Sequence, residues 1–326
     1  MTRLIWLAGA LLVLMAVSVF VGTRAMPLAE TWQALTRFDP AESGHLLVWQ
    51  LRVPRVLLGA VVGAAMGLAA VLMQALTRNP LADPGILGIN AGAALAVVAA
   101  LAFGVTATSV HVAAALLGAA LAGLAVLALG RLTGRDDPTP LVLAGAALSV
   151  VLAGVAQSVI LNTDQAVLDR FRYWAVGALQ GRGMDLTAAL ALVTALAGGA
   201  AMLMAPTLDA LSLGKDMGRA LGADGRLGWL GLAVLIVVLA GTTTAMTGPI
   251  GFAGLVAAHV ARGLVGPVHR KLLPLAIIAG AALVVAADLL GRVIARPGEI
   301  EAGIMSVLIG APFFLWLIRS RRVVRI

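Results

Sequence analysis

Apolar runs recur along the chain at short intervals, each closed by a polar, glycine-rich or proline-rich break. They cover residues 4–21, 56–76, 85–105, 110–129, 141–161, 186–204, 227–246, 249–260, 272–290 and 302–318, and a single acid, Asp288, interrupts them. A helix of about 20 residues, rising 1.5 Å per residue, spans the roughly 30 Å of a bilayer's hydrocarbon core. None of the runs shows the two-residue alternation of a barrel strand, and open sheet edges are not tolerated in lipid. The pattern therefore predicts an all-α fold, a polytopic membrane protein with about ten transmembrane helices. By length the eighth and tenth runs are the weakest. The first run, 18 residues long, exceeds the usual apolar core of a signal peptide and has no clean small-residue cleavage site after it, so it reads as a membrane helix.

Ten crossings place both termini on one side. Alternate allotment of the loops gives that side 14 of the Lys/Arg residues and the other side 9. The basic tail with Arg319, Arg321, Arg322 and Arg325 points to cytoplasmic termini, because positive charge near helix ends is retained inside. The polar stretch 22–50 then becomes the first external loop. No linker marks a second domain, so residues 1–326 read as one transmembrane domain.

Composition agrees with this picture. Hydrophobic residues make up 61% of the 326 residues and charged ones 12%, where a soluble domain carries about 25% charged. The chain has no cysteine, which excludes disulfides, thiolate metal sites and a cysteine nucleophile. A net charge of +8 is explained by loop arginines that set orientation, and not by nucleic-acid binding. No phosphate-binding loop occurs, since Gly214-Lys215 is followed by Asp216, and the four histidines lack metal-ligand spacing. No catalytic triad is visible, so the chain reads as a non-enzyme that needs no cofactor or metal.

Four local features stand out. Gly59, Gly63 and Gly67 recur every fourth residue in the second run, a face that lets another helix come close. Arg52 and Arg55 flank Pro54 just before that run. On sequence alone they read as exposed interfacial anchors, with Pro54 fixing the backbone between them. Within 208–225, Ser212 is placed to cap a short helix, Leu213, Met217 and Leu221 share a face, and Gly222 is placed to end it. That face must bury against the chain's own membrane domain or against a cytoplasmic partner. Finally, Asp288 lies four residues before Arg292, the spacing of a helical ion pair, although an intramembrane acid is also a candidate proton carrier.

Two stretches resemble the signature of the FecCD-type permease family, the membrane subunits of bacterial ABC importers for ferric siderophores, haem and cobalamin. The first runs from Arg52-Val53-Pro54-Arg55 through the glycine-spaced helix and Gln74 to Arg78-Asn79-Pro80-Leu81-Ala82-Asp83-Pro84. The second runs from Gly248-Pro249-Ile250-Gly251 through His259 and Arg262 to Arg292 and Gly310-Ala311-Pro312. The resemblance implies that Ser212, Leu213, Gly214, Met217, Ala220, Leu221 and Gly222 form a coupling helix on the ATPase. It implies that Arg52, Arg55 and Arg292 dock the binding protein, and that Gly59, Gly63, Gly67, Gln74, Asn79 and Pro80 serve helix packing or the pathway. Gly218 stands where the family has alanine and Ala258 where it has proline, so the helix at Ala258 is expected to be straight.

The implied partners are a second permease subunit, two cytoplasmic ATP-binding subunits, an external solute-binding protein and membrane lipid. The stretch Phe171-Arg172-Tyr173-Trp174 looks most like siderophore permeases, with haem and cobalamin left open. A secondary transporter or channel is the alternative from another class, and a proton-coupled carrier would need more intramembrane acids than Asp288.

Overall fold

In the computed structural model, residues 2–131, 139–212 and 225–319 are described, and every regular element among them is helical. The helices are α1 (Thr2–Phe20), α2 (Leu28–Thr36), α3 (Ser43–Leu47), α4 (Val53–Thr77), α5 (Ile89–Ala102), α6 (Thr108–Arg131) and α7 (Thr139–Leu161). They continue with α8 (Gln165–Ala175), α9 (Met184–Leu203), α10 (Ala205–Ser212), α11 (Gly225–Thr247), α12 (Ala253–Val265), α13 (His269–Ile294) and α14 (Ala302–Arg319). A π-helical turn at Val48–Arg52 joins α3 to α4 in one 35-residue rod. Among the described residues, eight helices are long and apolar enough to cross a membrane; α5 and α12 are shorter.

The core forms around α4, which packs against α9, α11, α12 and α13. The glycine face explains how. A Cβ on Gly63 would sit 2.1 Å from the carbonyl oxygen of Gly280, and one on Gly280 would sit 2.1 Å from that of Gly63. The two backbones touch, and no side chain fits between them. Gly67 meets the Ala276 carbonyl in the same way, whereas Gly59 faces the Leu179 side chain. A second crossing, between α5 and α6, uses Gly92 and Gly118 in the same reciprocal manner.

Two runs depart from expectation. The third is not one long helix: a 3₁₀ turn at Pro84–Leu87 and Gly88 at φ 71° precede α5, which has 14 residues. Pro84 fixes the start of that turn, and the left-handed Gly88 breaks the run that hydropathy alone joins. The tenth run, expected to be weak, forms the 18-residue α14. The eighth forms only the 13-residue α12, entered through Phe252 at φ 62° and unbroken at the fully buried Ala258. Both short helices begin deep in the bundle. Gly92 packs at the middle of α6, and Gly254 packs against Met66 at the middle of α4. Thr244, near the end of α11, donates to Asn90 Oδ1 at 2.8 Å and ties the two breaks together, so irregular backbone at this depth is enclosed by protein.

Candidate functional site

At the end of the bundle where α1 stops and α4 begins, charged side chains converge inside the protein. Arg55, on the first turn of α4, contacts Asp288 Oδ1 through Nε and Nη2, each at 2.8 Å, and Glu299 Oε2 through Nη1 at 2.8 Å. Arg292 Nε reaches Asp288 Oδ2 at 3.0 Å, the i,i+4 pair anticipated from the spacing. Asp288 is thus shared between two guanidiniums, which is how a carboxylate is held inside a membrane bundle.

The arginines also satisfy a helix end. The last carbonyls of α1 have no intrahelical donors and carry the negative end of the helix dipole. Arg52 donates to the carbonyls of Val19 and Phe20 at 3.1 Å and of Arg24 at 2.8 Å. Arg292 donates to the Ser18 carbonyl at 3.1 Å, to the Val21 carbonyl and to Ser18 Oγ, and Arg296 donates to the Gly22 carbonyl at 3.1 Å. The expectation of exposed anchors is corrected here: Arg52 and Arg55 are 5% and 8% exposed, and Arg292 beside them is 2% exposed. They turn inward because unsatisfied carbonyls and two acids lie within reach.

Beside this cluster, Glu301 precedes α14 and Tyr173 lies in the last turn of α8. Burial, and then the charge of Glu299, push the Glu301 carboxyl above the usual carboxylate range. Tyr173 is pushed up by burial and by Glu301, while burial pulls Arg182 down.

At the opposite end, Gln74 near the end of α4 accepts at Oε1 from Arg262 Nη1 on α12 at 2.7 Å, and both residues are buried. Asn79 turns the chain after α4, its Oδ1 accepting from the Leu81 N–H at 2.9 Å, and Pro80 follows in that turn. Asp83 Oδ1 accepts from the Gly85 N–H at 2.9 Å, and burial raises the pKa of this acid despite that bond. On α10, Asp209 Oδ1 accepts from the backbone N–H of His269 at 2.9 Å and contacts its Nδ1 at 2.6 Å. The carboxylate caps the first turn of α13 from outside that helix.

Leu213, Gly214, Met217, Ala220, Leu221 and Gly222 lie outside the described residues, as does the side chain of Ser212, which closes α10. The structure thus brings Arg52, Arg55 and Arg292 together at one end and Gln74 with Arg262 at the other. Sequence reasoning overlooked the carboxylate roles of Glu299 and Asp209. Their partners are 244 and 60 residues away in the chain, and no local spacing signals such a pair.

The polar clusters sit at the two ends of an apolar bundle, with broken helices between them, the arrangement in which membrane transporters enclose irregular backbone. Comparison with known proteins agrees. The ferric enterobactin transport system permease protein FepD of Escherichia coli K12 is 41% identical over 98% of this chain and 96% of its own length. The cobalamin import system permease protein BtuC of Halobacterium salinarum is 38% identical over 94% of this chain and 85% of its own. A solved inward-facing structure of a metal-chelate type ABC transporter superposes with a TM-score of 0.83 at 25% identity, covering 97% of this chain and 98% of that one. The model of the FecCD transport family matches residues 10–320, and the chain belongs to that family.

Proposed function

We propose that the chain is the permease subunit of an ATP-driven importer of ferric siderophores in the cytoplasmic membrane. The observation that carries this is the 41% identity, over nearly the whole of both chains, to a ferric enterobactin permease. The 38% match to a cobalamin permease keeps a second substrate class in play. ATP hydrolysis belongs to two partner subunits on the side of residues 208–225, where Leu213, Met217 and Leu221 dock.

The bond between Asp209 and His269 supplies the mechanical link. Movement of the docked segment pulls on the start of α13, and α13 runs the depth of the bundle to Asp288 and Arg292. Across the membrane, the rim built by Arg52, Arg55 and Arg292 receives the solute-binding protein, with its carboxylates exchanging for the internal acceptors these arginines now hold.

A second permease subunit covers α7 and α14. Their exposed faces include Val150, Val155, Leu308 and Leu315. On α7, Gly154, Gln157 and Ser158 are also exposed, and an amide facing lipid in a membrane helix is unfavourable. Gln157 and Ser158 therefore face the pathway between the two subunits. Affinity purification of the full chain from its native membrane tests the reading. An ATP-binding subunit should be retained at one per permease, and Leu213→Asp with Leu221→Asp should release it while the permease stays inserted. Stoichiometric retention by that double variant would place the docking surface elsewhere.

A further inference from the structure

The excursion between α1 and α4 has no part in the proposed pathway, yet it carries a built surface. Helix α2 sorts its side chains into three directions. Thr31 and Ala34 are fully buried and mark the side that packs on α3 and the π-helical turn. Leu28 and Trp32, four residues apart and therefore stacked on one flank, are 69% and 61% exposed. Gln33 lies about 100° further round than Trp32 and is exposed as well. A helix in solution has two environments, protein and water. This one presents a third side, apolar and uncovered, between them.

The apolar side continues beyond α2. Trp49 donates from Nε1 to the Ala34 carbonyl at 2.7 Å, and Phe38 packs edge-on against its ring at 6.5 Å. Phe38 and Trp49 remain 49% and 42% exposed. The level of this surface is fixed by covalent connection: α2 follows the capped end of α1 and leads through α3 into α4, so it lies where two membrane helices meet the bilayer surface. Helix α1 is the least enclosed of the long described helices, with 6% of its apolar stretch buried, so α2 extends from an uncovered edge of the bundle. Arg24 and Arg37, both exposed, flank it at either end. Aromatic side chains at the interfacial depth, an amphipathic helix and flanking cations are what a phospholipid surface binds.

We propose that α2, with Phe38 and Trp49, lies in the membrane interface as a lipid-binding platform, Leu28 and Trp32 entering the acyl boundary and Arg24 and Arg37 meeting lipid phosphates. The platform would hold the clamped end of α1 at a fixed depth.

The absence of cysteine makes the test direct. Leu28→Cys, Trp32→Cys and Gln33→Cys, each carrying a nitroxide in the full chain, are reconstituted in phosphatidylethanolamine/phosphatidylglycerol vesicles. Their relaxation by oxygen and by a water-soluble nickel chelate is then compared. Labels at 28 and 32 should be several-fold more accessible to oxygen than to the chelate, with the order reversed at 33. Equal chelate access at 32 and 33 would put the face in water. Protection of 32 from both reagents would mean that protein covers it. Either result overturns the proposal. Tryptophan quenching by brominated lipid, compared between the wild-type chain and Trp32→Leu, gives an independent reading: loss of a strongly quenched component supports insertion, and an unchanged quenched fraction opposes it.

Discussion

Replacing Arg55 by glutamine tests whether the buried charge cluster holds the bundle together. The substitution removes both contacts to Asp288 and the one to Glu299, each at 2.8 Å, among side chains that are 9%, 3% and 15% exposed. Removing one member of a buried ion pair costs about 3–5 kcal/mol, because the partner's charge is left inside without compensation. Asp288 retains Arg292 at 3.0 Å, and Glu299 is the most open of the three, so the lower end, about 3 kcal/mol, is expected. Adding Glu299→Gln should then restore about 1 kcal/mol, since the stranded carboxylate is gone; contacting residues couple at this scale. Unfolding by SDS titration in mixed micelles, followed by tryptophan fluorescence, measures all four corners of the cycle. An Arg55→Gln variant within about 0.5 kcal/mol of wild type, or strictly additive effects, would refute the reasoning.

Three further outcomes follow from the same geometry. Gly63→Leu should abolish folding, because even its Cβ would lie 2.1 Å from the Gly280 carbonyl; recovery of a normal yield of monodisperse protein would contradict the backbone contact. Glu301→Gln should raise the melting temperature at pH 7–8 and leave it unchanged near pH 4. An acid whose folded pKa lies above its unfolded value binds its proton more tightly when folded, so stability falls as pH rises through that range. A melting temperature equally shifted at both pH values would argue against this. Asp209→Ala should leave insertion intact but weaken the coupling of ATP hydrolysis to transport, read as a fall in solute moved per ATP, whereas an unchanged ratio would remove the Asp209–His269 link from the mechanism.

Much of the fold was legible because ten apolar runs leave a membrane chain few alternatives. Helix periodicity also exposed the glycine face of α4, and the i,i+4 spacing exposed the Asp288–Arg292 pair. Breaks inside apolar sequence were harder to see. Residues 85–105 carry no charge, so hydropathy joined the 3₁₀ turn and the helix that Gly88 divides, and the depth at which α5 and α12 begin depends on contacts with α6 and α4. The inward turn of Arg52 and Arg55 was hidden for a related reason. Their acceptors are the end of α1, Asp288 and Glu299, brought near only by the packing of α1 and α13 on α4. Reversing the charge of Arg52 and Arg55 together would place four carboxylates where two now sit with their cations, so that pair of changes would damage the bundle before it reported on docking.

ATP-driven uptake in proteoliposomes tests the central claim most directly. The chain is reconstituted with the proposed ATP-binding and solute-binding subunits, ATP is supplied on the side of residues 208–225, and iron-55 ferric tris-catecholate is offered opposite, with haem and cobalamin in parallel vesicles. Accumulation of the ferric siderophore should require ATP and both added subunits and be unaffected by collapsing the proton gradient. Uptake by the chain alone, driven by a proton gradient and indifferent to ATP, would contradict it.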